Sequence, residues 1–455
     1  MQSLLVANRG EIARRIIRSA RELGLRTVAV YSEADSGSAH VADADTAVPI
    51  GPAPARDSYL DGARVINAAR TAGANAVHPG YGFLSENAEF AEAVEAAGLI
   101  WIGPRPDSLR AMGDKQRARE IAERAGVPVV PGSRRFAIGD IQDLDRAAAV
   151  IDYPLLVKAS AGGGGIGMRR VDGPESLEKT VTATQSMAQK AFGDGTVFLE
   201  RFVPKARHVE IQVFGFGDGT AIHLFERDCS VQRRFQKVIE ESPAPGLPPE
   251  TRDAMAEAAL ALCKETEYRG AGTIEFIVDA DSFEFFFLEM NTRIQVEHPV
   301  TEMIVDRDLV AMQIDLARGA LTGIDQAEIE MHGHAIECRL YAENPTKMFM
   351  PSPGPLDVFD LPEAGEDLRI ESGYRAGDVV TTYYDPMLAK LIVHGPDRMA
   401  TCEAALAALR AVRVEGIHTN RDFLIACLED AGFRSGAVYT GFVDDNVKRL
   451  TAAKG

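Results

Sequence analysis

The residues Glu289, Asn291, Arg293, Gln295 and Glu297 recur at every second position of the stretch Glu289-Met-Asn-Thr-Arg-Ile-Gln-Val-Glu-His298. In extended backbone successive side chains point to opposite faces, so this spacing predicts a row of polar groups on one side and Met290, Ile294 and Val296 on the other. Two carboxylates, an amide and a guanidinium converging on one spot suit a cation together with an anionic substrate. The preceding run Phe285-Phe-Phe-Leu288 has the character of a buried strand, which argues that the core delivers these groups and against a solvated edge strand.

Upstream, Thr273 to Val278 and Phe283 to Met290 flank the turn-like Asp279-Ala-Asp-Ser282, a pattern that predicts an antiparallel hairpin with Glu275 on one strand and Glu289 on the other. Carboxylates brought together repel unless a cation lies between them. The expectation is Mg2+ or Mn2+ shared with nucleotide phosphates, with Asn291 completing the oxygen ligands. A phosphate lid is expected in the glycine-rich Ala159 to Gly167, which follows the strand Tyr153 to Lys158. It is not a Walker loop, because no Gly-Lys-Ser/Thr opens a helix there. A flexible linker is the competing reading, disfavoured by Lys158 beside an apolar strand. The strand Val197 to Val203 offers backbone for an adenine. Arg233, Arg234 and Lys237 crowd the segment Asp228 to Lys237, which predicts a local anion site over a plain surface patch.

The elements that must position these groups can be read along the chain. Strands at Ser3 to Ala7, Thr27 to Tyr31, Ala76 to His78 and Leu99 to Ile102 alternate with helices at Glu11 to Leu23, Leu60 to Ala72 and Asn87 to Ala97, the pattern of a doubly wound parallel sheet. The fold class is therefore α/β and α+β multidomain with a Rossmann-like N-terminal domain. No Gly-x-Gly-x-x-Gly follows the first strand, which disfavours a nicotinamide dinucleotide. The turn Asn8-Arg-Gly10 and the run His78 to Asn87 lie where ligands collect in such sheets, although His78 alone reads better as structural than as catalytic. From about His332 a small mixed unit begins: a strand His334 to Leu340, a proline-containing loop Asn344 to Gly354, and helices Arg398 to Val412 and Asn420 to Asp430.

At 455 residues the chain exceeds one ordinary core, and about three domains is the expectation. A net charge of -18 argues against nucleic acid or an anionic membrane as the main partner. With no signal sequence and no membrane-length apolar run, a cytoplasmic protein is expected. Five dispersed cysteines without a CxxC pair point to reduced thiols, and Cys229, inside the charged segment, is the one of interest.

Taken together, Ala7-Asn-Arg-Gly-Glu-Ile-Ala13, His78-Pro-Gly-Tyr-Gly-Phe-Leu-Ser-Glu-Asn87, the Gly162 to Gly167 loop, Glu226-Arg-Asp-Cys-Ser-Val-Gln-Arg-Arg234, Glu289 to Pro299 and Tyr384-Asp-Pro-Met-Leu-Ala-Lys390 resemble biotin carboxylase, the ATP-grasp component of biotin-dependent carboxylases, over nearly the whole chain. The resemblance implies an N-terminal biotin carboxylase domain over 1–113, an ATP-grasp domain over 114–330 with its lid at about 131–203, and a C-terminal domain over 331–446. It implies that ATP activates bicarbonate to carboxyphosphate, whose CO2 is captured by biotin, the first half-reaction of an acetyl-CoA or acyl-CoA carboxylase.

By the same resemblance Lys115 and Lys158 sit on the nucleotide phosphates, Gly164 and Gly165 in the closing lid, Glu200, Arg201, Phe202 and Val203 around adenine, and His208 and Gln232 near the ribose. Glu275, Glu289 and Asn291 hold Mg2+ or Mn2+. Lys237, Arg293, Gln295 and the Val296 backbone bind bicarbonate, Glu297 removes its proton, and Arg339 stabilises the biotin enolate. The implied partners are a separate biotin carboxyl carrier protein, a carboxyltransferase and a second copy of the chain, since no Met-Lys-Met segment occurs. Two positions depart from the family: Ile166 stands where Lys or Arg is usual, and Phe235 where a polar residue, often His, touches the ribose. Two other readings compete: a related ATP-grasp ligase such as a carbamoyl-phosphate-forming enzyme, and a non-catalytic ATP-binding scaffold.

Overall fold

The computed structural model describes residues 1–160 and 167–452. The first hundred residues form a five-stranded parallel sheet. Ser3–Val6 is central, flanked by Arg26–Ser32 and Ala76–His78, with Thr46–Gly51 and Ile100–Trp101 at the edges. Thr46–Gly51 is an edge strand that the sequence pattern conceals, because it carries Pro49 and is half-buried, as an edge allows. The first helix, Gly10–Glu22, buries Ile12, Ala13, Ile16 and Ile17 along one stripe.

The centre of the molecule is an antiparallel sheet of eight strands in the order Phe285–Asn291, Arg269–Asp279, Ala206–Phe216, Ala221–Arg233, Gln236–Ser242, His334–Tyr341, Met387–Gly395, Leu368–Ser372. Its last three strands come from the C-terminal part. That part is therefore no separate sheet beside the centre: Ile239 to Ser242 pair directly with Cys338 to Ala335, and one continuous surface carries residues from both. The C-terminal part also packs on the first helix. A Cβ at Gly373 would lie 2.9 Å from the Glu11 backbone nitrogen, so only glycine permits this approach. Arg18 reaches Glu371 at 2.6 Å across the same junction.

A small antiparallel sheet, Met168–Val171, Leu155–Ala159 and Val197–Arg201, stands apart with its own core of Phe136, Leu144, Val157, Val181 and Leu199. The glycines Gly164 and Gly165, and Ile166 beside them, lie outside the described residues; Gly167 follows at φ +93°. Among the described residues no helix is long and apolar enough to cross a membrane. All five cysteines are buried and unpaired.

Candidate active site

The hairpin expected from the two apolar runs pairs Glu275 directly opposite Glu289 and Thr273 opposite Asn291. A bulge sits between Glu275 and Phe276. It leaves Leu288 without a partner and 43% exposed, although Phe287 and Met290 on either side are buried. Beyond Asn291 the expectation of an extended polar row fails. The strand ends there, and Glu297 is the residue preceding the helix His298–Val305, with φ -83° and ψ 8°. Pro299 in the first turn explains the switch, since its fixed φ suits a helix start. Arg293, Gln295 and Glu297 thus reach the site from a turn and a helix N-terminus.

The turn still brings Gln295 and Glu297 together. Lys237 donates to Glu210 at 2.7 Å, Glu275 at 3.1 Å and Glu297 at 2.6 Å. Arg339 donates to the other Glu297 oxygen at 2.9 Å and forms an ion pair with Glu240. Glu275 also accepts from Asn291 at 2.8 Å and Gln295 at 2.9 Å, and lies 3.0 Å from the His208 ring. Arg293 points elsewhere, to Glu86 at 3.0 Å and Asn291 at 2.9 Å, tying the first domain to the site. The Val296 carbonyl accepts from the buried Lys390 at 2.5 Å.

Burial works against every charge in this cluster, and its partners decide the outcome. Desolvation pushes Glu297 up, but Lys237, Arg339 and Arg227 hold it well below the usual carboxylate range. Glu275 is likewise held down, by Lys237 and His208. Desolvation pulls Lys237 down, yet the surrounding negative charge, Glu210, Glu275 and Glu297 included, carries it well above its ordinary value. Glu289 is raised, first by burial and then by the charge of Glu275. A hairpin that offers two facing carboxylates and an amide, one acid disfavoured by the other's charge, fits a hard divalent cation with oxygen ligands.

The nucleotide side is looser. Lys115 is exposed and stands 3.9 Å from Glu289. Lys158 donates to Glu200 at 2.6 Å, so a group expected on phosphate and one expected near adenine bind each other. Arg201 pairs with Glu284 at 3.1 Å, and Phe202 stacks under Arg170. Val203 is half-buried two residues past the strand Val197–Arg201, and the Gln232 amide turns back to the Cys229 carbonyl at 3.4 Å. Phe235 is 73% exposed in the tight turn Arg234–Phe235, where both residues have positive φ.

That turn corrects the reading of the basic segment as one anion site. The strand runs on to Arg233, whose guanidinium binds Glu343 at 3.1 Å and covers the Phe349 ring. Only Lys237 joins the carboxylates. His78 is a structural histidine: fully buried, it faces Gln313 and accepts from the Gly80 amide.

Sequence reasoning missed Glu210 and Arg227. Arg227 is fully buried and reaches Glu210 at 2.6 Å, Gln212 at 2.7 Å, Gln295 at 2.8 Å and Thr301 at 2.9 Å. The signal was present in His208-Val-Glu-Ile-Gln212, whose polar positions alternate inside an apolar strand. A central strand that keeps a polar face is marking a site.

Family models match three consecutive segments: biotin carboxylase, N-terminal domain, over residues 1–109; carbamoyl-phosphate synthase L chain, ATP binding domain, over 114–323; and biotin carboxylase C-terminal domain over 337–445. Biotin carboxylase 2 of Bacillus subtilis is 48% identical over 444 residues, covering 98% of this chain and 99% of that protein. The mitochondrial methylcrotonoyl-CoA carboxylase subunit alpha of Dictyostelium discoideum is 48% identical over 99% of this chain, which spans 64% of that subunit's length. The biotin carboxylase domain dimer of Hydrogenobacter thermophilus 2-oxoglutarate carboxylase, solved with MgADP, ADP and bicarbonate, superposes with a TM-score of 0.88 at 42% identity, covering 100% of this chain and 99% of that one. With a polar cluster built by the central sheet and matches running from one end to the other, the chain belongs to the biotin carboxylase family of ATP-grasp ligases.

Proposed function

We propose that this chain carboxylates biotin, presented on a separate carrier protein, using ATP and bicarbonate and releasing ADP and phosphate. The observation that carries this reading is Glu297, a buried carboxylate wedged between Lys237 on the side of the Glu275 hairpin and Arg339 on the other. In the proposed reaction bicarbonate takes the place of these contacts, bound by Lys237, Arg293, Gln295 and the Val296 backbone. Glu297 accepts its proton, sharpening an otherwise poor nucleophile for attack on the γ-phosphate. Lys115 and Lys158 steady the phosphates, and the hairpin residues Glu275, Glu289 and Asn291 hold Mg2+ or Mn2+, which when bound neutralises phosphate charge. Arg339 then stabilises the ureido anion of biotin as phosphate removes its proton.

Glu200 to Val203 frame the adenine, and His208 and Gln232 flank the ribose, in this reading. The domain boundaries are proposed at 113 and 330. A carrier protein and a carboxyltransferase complete the reaction cycle, the enzyme works as a homodimer, and its compartment is the cytoplasm. The carbamoyl-phosphate alternative has support in the central segment alone, and it gives no role to Arg339, which lies in the segment matched by the biotin carboxylase C-terminal model. The test is ADP release in the presence of bicarbonate, with and without free biotin. Biotin stimulation is expected. ATP cleavage without any response to biotin would favour the related ligase, and ATP binding without turnover would favour a scaffold.

A further inference from the structure

Behind Arg339 lies a second set of acids that the proposed reaction leaves unused. Glu240 and Glu337 sit directly opposite each other on adjacent strands, and both are fully buried. Apart from the close contact of Glu240 with the Arg339 guanidinium, neither carboxyl has a hydrogen-bond partner among the described residues. Glu240 has one ion pair, to Arg339, through the same guanidinium nitrogen that holds Glu297. Glu337 has one, to Lys390 at 3.8 Å, and Lys390 also faces Glu11 at 3.6 Å while spending its short hydrogen bond on the Val296 carbonyl. Among the described residues, Arg339 and Lys390 are the only cations paired with these three buried acids. Adjacent carboxylates in a dry site cannot both stay ionised on so little positive charge.

We propose that Glu240 and Glu337 are positioning residues that share one proton, leaving a single negative charge behind Arg339. The inference rests on the carboxylase reading. When Glu297 takes a proton it ceases to anchor Arg339, and the pair behind keeps the guanidinium in place. Because the pair carries one charge and not two, Arg339 retains positive field for the enolate forming in front of it. Lys390 extends the arrangement to the Val296 backbone. The charged and titratable groups facing the pair are Arg339, Lys237, Glu297 and Lys390, with the buried thiols of Cys229 and Cys338, and Glu11 lies beyond Lys390. Burial raises both acids: Glu240 is pushed up to about 7, with Arg339 opposing and the charge of Glu297 adding, and Glu337 is raised well above the usual range.

Infrared difference spectroscopy of the unliganded protein tests this without reference to turnover. A protonated-carboxyl band is expected at neutral pH and is lost on raising the pH. It is absent from both Glu240→Gln and Glu337→Gln, where the remaining acid ionises. Absence of the band from the wild type would overturn the proposal, as would its survival in both variants. If either variant failed to fold by circular dichroism, the wild-type titration alone would decide. In turnover, Glu240→Gln should lower the ratio of biotin-stimulated to biotin-free ADP release about tenfold. Glu337→Gln should remove the alkaline fall in the biotin-stimulated rate that loss of the shared proton causes. An unchanged ratio and an unchanged alkaline limb would overturn the positioning role. Failure of the carboxylase reading itself would show differently, as no biotin stimulation in the wild type.

Discussion

The two halves of the candidate site are built on different terms. Around Glu297 the principal groups are already bound to one another: Lys237 to three carboxylates, Arg227 to five side chains, Gln295 to Glu275. On the nucleotide side Lys115 is 89% exposed, and among the described residues Lys158 has only Glu200 within hydrogen-bond reach. The difference follows from location. The first half hangs on the central strands of an eight-stranded sheet and is buried, so its geometry is fixed before a substrate arrives. In the second half Lys158 hangs on a small sheet with a separate core and Lys115 opens an exposed helix end; in the proposed reading such loosely anchored groups belong to a part that opens and closes over the nucleotide. Preorganised charge serves the chemistry, and loosely held charge serves binding and release.

Substitutions can break that comparison. Glu297→Ala is expected to have the largest effect, lowering bicarbonate-dependent ATP cleavage about 10²- to 10⁴-fold, the range for a lost general base. ATP affinity measured by calorimetry should be retained. Arg339→Ala should abolish most biotin stimulation, a loss of about 10²-fold or more. It should also destabilise the fold by about 3–5 kcal/mol in denaturant titrations, because Glu240 and Glu297 are left buried without it. Lys158→Ala should act mainly on ATP, raising its KM about tenfold with a smaller change in kcat. Phe235→His, at an exposed turn, should alter the ATP KM by no more than about threefold. If Lys158→Ala lowered kcat as severely as Glu297→Ala, the division into a fixed and a loose half would fail.

The pH dependence sharpens the same contrast. Glu297 is held below the usual carboxylate range by Lys237, Arg339 and Arg227, so it stays ionised at neutral pH and is lost as a base only when pH falls through that lowered value. Its contribution to stability has the same sign: present above the ordinary carboxylate range, lost on acidification. A rate profile of ATP cleavage with an acid limb at or above the ordinary Glu range would contradict this.

Much of the fold was legible because it is periodic. The strand and helix alternation of the first hundred residues, and the hairpin that sets Glu275 against Glu289, follow from apolar spacing and turn residues. What was not legible depended on tertiary context. Nothing local says that His334–Tyr341 adds to the sheet of the central domain, because strand partners are chosen by long-range packing. The alternation expected through Glu289 to Glu297 holds only as far as Asn291, where the strand ends, and Glu297 instead precedes a helix whose first turn contains Pro299. Glu210 and Arg227 were overlooked because charged residues alternating along a strand also describe a solvated face, and what separates the two cases is the burial of both side chains.

The most direct measurement is ATP-dependent transfer of labelled carboxyl from bicarbonate to free biotin, in the wild type and in Glu297→Gln. The account predicts labelled carboxybiotin from the wild type and almost none from the variant at saturating, unimpaired ATP binding. Labelling at the wild-type rate by Glu297→Gln, or none by the wild type, would contradict it.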